Sequence, residues 1–216
     1  MGHVTDPESA EAQKPTLIVP DKDADGLSSG VIIHRTLVKL GLDPKLLDVH
    51  LVQKGSNIHE ERERKLMLAK NPGNVIVLDQ GSRGGPPVVD DERAESIVID
   101  HHLSDDFPPG ATVSILFLTR RAVANLTKVV SGCHSPPVAT TSLITYEICK
   151  ALHPDIASEC GYLCAIGTHG DLGNTLKWLP PFPDMTETFK KHTKKLINDC
   201  VSLINARSLF SPMVSL

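Results

Sequence analysis

Aromatic residues are scarce in this 216-residue chain, at 4% of the total, so any core has to be aliphatic. No apolar run approaches the roughly 20 residues that cross a bilayer. The N-terminus, MGHVTDPESAEAQK, lacks the apolar stretch of a secretory signal, and Asp6 stands where N-myristoylation needs Ser or Thr. Cys133, Cys149, Cys160, Cys164 and Cys200 include no CxxC pair and are odd in number. That usage predicts reduced thiols and an intracellular, cytoplasmic protein, with Cys160 and Cys164 packed on one helix face. Strong positive charge is also missing. With 22 basic and 26 acidic residues the net charge is -4, which does not point to tracking of long nucleic acid by a global field and leaves a long strand as an open partner. There are no internal repeats and no low-complexity tracts.

What is present is an alternation of short β-branched runs with amphipathic stretches, the pattern of a parallel α/β sheet. Residues 1–14 are polar and predict a disordered tail. Strands are expected at 16–19, 48–53, 74–78, 96–99 and 112–117. The spacing predicts a helix over 27–40, with Val31, Ile32 and Leu37 apolar and Gly41 as its stop. A charged stretch, 58–70, carries Glu60/Arg64 and Glu61/Lys65 at helical spacing and predicts a solvated helix face. A loop, SGCHSPP, precedes helices over 140–152 and 156–166, and the second is expected to end in a Gly-rich break, Gly167-Thr168-His169-Gly170-Asp171. After Pro180-Pro181-Phe182-Pro183, one last helix is expected over 186–205. These divisions give a catalytic domain at 15–185 and a C-terminal helix at 186–216. The apolar end (Leu209, Phe210, Met213, Val214, Leu216) predicts that the chain stops short of a further segment.

Three of these strands run into acids or imidazoles: Asp21 and Asp23 after the first, Asp79 after the third, Asp100-His101-His102 after the fourth. Asp171 adds another acid in its Gly-rich segment. In an open parallel sheet the C-terminal ends of the strands are where ligands bind. Carboxylates gathered there repel one another unless cations neutralise them. Oxygen ligands with one or two imidazoles suit manganese or magnesium, with zinc and cobalt as further candidates. One carboxylate shared between two ions would hold them about 3.5–4 Å apart, the spacing of two-metal phosphoryl chemistry. A calcium loop is excluded. DKDADG opens like an EF-hand loop, but position 12 is Ile32 where a bidentate Glu is needed, and the segment follows a strand.

DKDADG, the Asp of VLDQGS, IDHH and GTHGD, in that order from about residue 17 to 173, resemble the four motifs of the DHH phosphoesterase superfamily. That superfamily includes RecJ-type exonucleases, oligoribonucleases, family II inorganic pyrophosphatases and exopolyphosphatases, and DKDADG is similar to its RecJ-like branch. The resemblance implies a two-ion centre of Mn²⁺ or Mg²⁺. In it Asp21 holds one ion, Asp23 the other, Asp79 bridges, and His101 and Asp171 complete the second. It further implies that His102 contacts the substrate phosphate and that Asp100 orients the imidazoles. Asp25 matches a third acid of the RecJ-like pattern or caps the helix beside it, and both readings stand.

Three departures bear on the centre. Leu17 occupies the position where many members have a His, so the first ion has fewer protein ligands, for which His169 is a candidate to compensate. The segment after Asp-His-His lacks the Asn-Pro step of RecJ-like members. The DHH-associated C-terminal domain, which supplies basic substrate contacts in the family, has no room in the residues after Asp171. The expectation is therefore a metal-dependent phosphoesterase that hydrolyses phosphate esters of short oligonucleotides or nucleotides, with no membrane partner. A pyrophosphatase or exopolyphosphatase is the alternative, and a non-catalytic interaction module is the alternative of another class. The basic candidates for a long strand are Arg120/Arg121 and Lys190/Lys191/Lys194/Lys195, the lysines on the polar side of a helix.

Overall fold

Every residue of Thr16–Pro20 is buried, and successive apolar side chains leave the strand on opposite sides. That is the signature of a strand covered on both faces. In the computed structural model, which describes residues 13–102, 104, 106, 114–115, 129–131, 139–173 and 183–210, this segment is β1 of a six-stranded sheet. The others are β2 (Leu47–Val49), β3 (Asn74–Leu78), β4 (Glu95–Asp100), β5 (Ser114–Ile115) and β6 (Val129–Ser131). The order is β2-β1-β3-β4-β6-β5 and all pairings are parallel. The helices are α1 (Ala24–Lys39), α2 (Glu61–Leu68), α3 (Thr141–Leu152), α4 (Asp155–Leu172), α5 (Pro183–His192) and α6 (Lys194–Phe210). The fold is thus the expected parallel α/β sheet flanked by helices.

The two sheet faces make two cores. On one, Ile18, Leu78 and Ile99 meet Ile32 and Ile33 of α1, Leu143 and Ile144 of α3, and Ile156, Cys160 and Cys164 of α4. On the other, Leu17, Val19, Val75, Val77 and Val98 meet Met67 of α2 with Val52, Ile58, Val88 and Val89 from the connections. Each such aliphatic side chain, fully buried, contributes about 1.5–3 kcal/mol. Cys149, Cys160, Cys164 and Cys200 are free thiols. Among the described residues no helix is long and apolar enough to cross a membrane.

Several expectations change. Helix α1 begins at Ala24, not at residue 27, because Asp23 caps it, accepting from the amides of Asp25 and Gly26 at 3.0 Å each. Helix α4 does not break at 167–171 but runs to Leu172, so Asp171 sits in its last turn. A Cβ at Gly167 would lie 2.9 Å from Asp25 Oδ1 and closer still to Ser142, so this glycine marks a close helix approach rather than a helix end. The single terminal helix is two, α5 and α6, parted at Thr193 with φ 57°. Strand β2 is shorter than 48–53, although the His50 amide still donates to Ile18 O at 2.9 Å. Strand β6 has no counterpart among the strands expected from sequence.

The charged stretch 58–70 is only partly a solvated face. Glu61 and Lys65 pair at 2.6 Å in solvent. Glu60 instead accepts from Asn57, and the Arg64 guanidinium donates to Pro87 O at 2.7 Å. Glu63 is fully buried against His50, with Oε2 and Nε2 2.7 Å apart. The tail at 1–12, Cys133, Arg120 and Arg121 lie outside the described residues.

Candidate metal centre

Strand register sets the site. Pro20 of β1 pairs with Leu78 of β3, and Leu78 with Ile99 of β4. The next residue on each strand is an acid: Asp21, Asp79, Asp100. The Asp21 amide donates to Leu78 O and the Asp79 amide to Ile99 O, both at 2.9 Å, so the row stays in step past the strand ends. Between β1 and β3 the strand order reverses, since the chain leaves β1 outward to β2 and returns on the other side as β3. Such a switch point opens a crevice at the carboxyl ends of the strands.

Asp79 lies in that crevice with φ 62°, a left-handed conformation uncommon for a non-glycine residue. The strain is of order 1–3 kcal/mol and turns the carboxylate out of the strand's alternation. It is buried, at 2% exposure. His101 Nε2 lies 3.3 Å from Asp79 Oδ1, 3.6 Å from Asp171 Oδ2 and 3.9 Å from Asp25 Oδ2. Two groups of potential ligand atoms, each within 4.8 Å of one another, are Asp21/Asp23/Asp79 and Asp79/His101/His102. Asp79 belongs to both.

The electrostatics are those of a cluster awaiting positive charge. Burial, then the charges of Asp25 and Asp23, push the Asp79 carboxyl up to about 10. Burial raises Asp21 as well, with Asp23 adding to it. Asp25 is pushed by burial up to about 6, although hydrogen bonds from Ser142 oppose the rise. A cation among them would oppose these shifts and favour the charged carboxylates. The set of carboxylate oxygens and imidazole nitrogen fits a hard divalent ion.

The remaining candidates separate by partner. Asp100 is buried and holds His102, with Oδ1 2.7 Å from Nδ1 and 3.1 Å from the His102 amide, while Oδ2 accepts from the Ser82 amide at 3.1 Å. Burial opposes ionisation of Asp100, but these bonds outweigh it and hold the carboxyl below its ordinary value. The same hydrogen bond raises His102 and favours the imidazolium. Asp100 thus orients one imidazole, not both. Asp25 does not cap its own helix. Its two oxygens accept from the Thr141 and Ser142 amides at 2.8 and 2.9 Å, so it caps α3. His169 is buried and places Nε2 3.4 Å from Asn198 Oδ1 on α6. Leu17 is part of the α2-side core.

Sequence reasoning missed Thr141, whose hydroxyl donates to Asp79 Oδ1 at 2.9 Å, and the backbone of Ser82. A threonine pair before an apolar run signals a helix start. Nothing in that signal names a partner 62 residues away.

A doubly wound parallel domain with a carboxylate and imidazole cluster at its switch point is the frame of many phosphate-handling proteins. The chain belongs to the DHH family: the model of that family's N-terminal domain matches residues 15–168. It is therefore a member of the phosphoesterase superfamily that its four motifs resemble. Among solved structures it is similar to RecJ in complex with Mn²⁺ from Thermus thermophilus, at 22% identity and TM-score 0.51 over 76% of this chain and 22% of that one. It is similar to an exonuclease RecJ bound to manganese, at 20% identity and TM-score 0.55 over 83% of this chain and 43% of that one. It is also similar to the DHH domain of a member of a family of ribosomal proteins, at 16% identity and TM-score 0.64 over 92% of this chain and 48% of that one. This chain spans less than half the length of each. No curated protein matches it.

Proposed function

We propose that this protein is a divalent-metal-dependent phosphoesterase acting on phosphate esters of nucleotides or short oligonucleotides. The observation that carries the reading is the membership of a single carboxylate, the buried Asp79, in both groups of ligand atoms. Asp21 and Asp23, which the motif resemblance assigns to different ions, lie in one group with Asp79 and would hold one ion with it. His101 and Asp171 would hold the other with the same Asp79. The manganese of the RecJ structures supports the choice of Mn²⁺. Two such ions would polarise a phosphoryl oxygen and acidify the attacking water.

The chain's own groups do the rest. His102, with its Nδ1 taken by Asp100, presents Nε2 toward a substrate oxygen, and the same bond favours the imidazolium form, in which Nε2 donates and the charge suits a phosphate. Because the side chain is 58% exposed, it can meet a ligand arriving from solvent. Asp100, itself held by Ser82, fixes the ring's orientation.

Among the described residues, two of the basic candidates for a long strand stand away from the centre. Lys190 and Lys191 line a cavity of about 770 Å³ with Ala157 and Ser158, near the start of α4. Asp171 lies about 21 Å further along the same helix, at 1.5 Å per residue. Those lysines are no part of a track into the centre.

The test is hydrolysis with Mn²⁺ of a dinucleotide, a cyclic dinucleotide, single-stranded DNA and pyrophosphate by the wild type and Asp79→Ala. Cleavage of the dinucleotide that Asp79→Ala abolishes supports the reading. Preference for pyrophosphate would replace it with the pyrophosphatase reading. No hydrolysis of any of the four, with Mn²⁺ or Mg²⁺, would overturn it in favour of a non-catalytic module.

A further inference from the structure

Thr141 opens α3 and is completely buried. It makes two bonds to acids of the crevice: its hydroxyl donates to Asp79 Oδ1 at 2.9 Å and its amide to Asp25 Oδ2 at 2.8 Å. The next amide, of Ser142, donates to Asp25 Oδ1 at 2.9 Å. The first amides of a helix have no partner within it. Here the Thr140 hydroxyl takes the Leu143 amide at 3.3 Å, and Asp25, on another helix, takes the two before it. The Thr140 hydroxyl also lies 2.9 Å from that of Thr168 on α4, one turn before Asp171. The start of α3 therefore ties together three elements that bring acids to the site: α1, the end of β3, and α4.

A carboxylate shared by two ions has to present one oxygen to each at once. Rotation about the last torsion of an aspartate is broad and only two-fold, so packing alone does not select that presentation. A carboxylate oxygen has two lone pairs, and a hydroxyl that takes one leaves the other for an ion. A lysine in the same place would fix the carboxylate equally well but would neutralise it and displace the cation. A threonine hydroxyl fixes it without adding charge.

We propose that Thr141 is a positioning residue that sets the rotation of Asp79 for shared ligation of the two ions. This rests on the two-ion reading of the centre. Outer hydrogen bonds of this type change metal affinity by about 10–100-fold. The experiment is calorimetric titration of the metal-free protein with Mn²⁺ for the wild type, Thr141→Val and Thr141→Ser, with thermal unfolding of each metal-free form. Thr141→Val, nearly the same in shape, should bind Mn²⁺ about 10-fold or more weakly, and its metal-free form should still unfold cooperatively, at a melting temperature lowered by the lost bond. Thr141→Ser, which keeps the hydroxyl and drops the methyl, should bind as wild type does. Wild-type affinity in Thr141→Val overturns the proposal. So does weak binding by Thr141→Ser, which would make the role one of packing, and this arm decides the matter even if the Val variant fails to fold. If the wild type itself binds neither Mn²⁺ nor Mg²⁺, the two-ion reading fails instead.

Discussion

Asp79 is a buried carboxylate set among other acids. Its carboxyl is held near 10 by burial first and then by Asp25 and Asp23. A carboxyl whose folded-state value is raised binds its proton more tightly in the native than in the unfolded chain. Its contribution to stability is whole below the unfolded value near 3.8 and drains away as pH rises toward 10. Without metal, Asp79→Asn should therefore be more stable than the wild type at neutral pH, by roughly 1–3 kcal/mol. The gap should widen between about pH 5 and pH 8. Saturating Mn²⁺ should reverse the order, because only the wild type has the charge that the ion binds. Urea unfolding of both proteins at the two pH values, with and without Mn²⁺, measures this. A constant gap across pH would mean that Asp79 is not the strained acid that its surroundings make it.

Two elements depend on contacts that their own sequences do not announce. The first turn of α1 lies against the end of β1 so closely that a Cβ on Gly26 would come within 2.7 Å of the Asp21 backbone nitrogen and oxygen. Backbone cannot yield there without moving Asp21 and the Asp23 cap. Gly26→Ala is expected to cost about 1–3 kcal/mol of stability and to weaken Mn²⁺ binding by more than about 10-fold. Unchanged affinity in a calorimetric titration would show that the acids do not depend on this contact. Helix α2 is anchored differently. Its Glu63 is fully buried, with one oxygen 2.7 Å from His50 Nε2 and the other accepting from the Gln53 amide at 3.2 Å. Glu63→Ala would strand both partners and should cost about 3–5 kcal/mol in chemical unfolding. His50 and Glu63 are not among the acids of the centre, so hydrolysis by the folded variant should stay within a few-fold of wild type. A large fall in kcat with little loss of stability would place the pair in the chemistry instead.

At the scale of the whole molecule, the net charge of -4 supplies no attractive global field for a long strand, and Lys190 and Lys191 lie toward the start of α4, away from the centre. Affinity for long nucleic acid grows with each phosphate neutralised, and so does its salt dependence. The expected behaviour is a higher kcat/KM for a dinucleotide than for a long single strand, with less than about a 10-fold change between roughly 50 and 200 mM salt. Steep salt dependence together with preference for the long strand would reveal a basic track, and Arg120 and Arg121 would be the first residues to replace.

The parallel sheet, its strands β1, β3 and β4 and the acids and imidazoles at its edge are legible from the sequence alone. Buried strands are short β-branched runs, and a run such as Asn74–Leu78 needs no distant partner to be recognised. The identity of potential ligands is likewise local, since only a few side chains have the right atoms. What each acid touches was decided by tertiary structure. Asp25 reads from sequence as a ligand or as a cap for its own helix, yet it caps α3, more than a hundred residues away. Gly167 and Gly170 read as a break because glycine weakens isolated helices. Inside the molecule they let α4 approach Ser142, Asp25 and Ala24, and packing outweighs propensity. Glu63 reads as solvated by its neighbours in sequence and is buried by His50, which follows β2. Composition and spacing determine which groups can do chemistry, while only the folded chain brings together those separated in sequence and sets which of them meet.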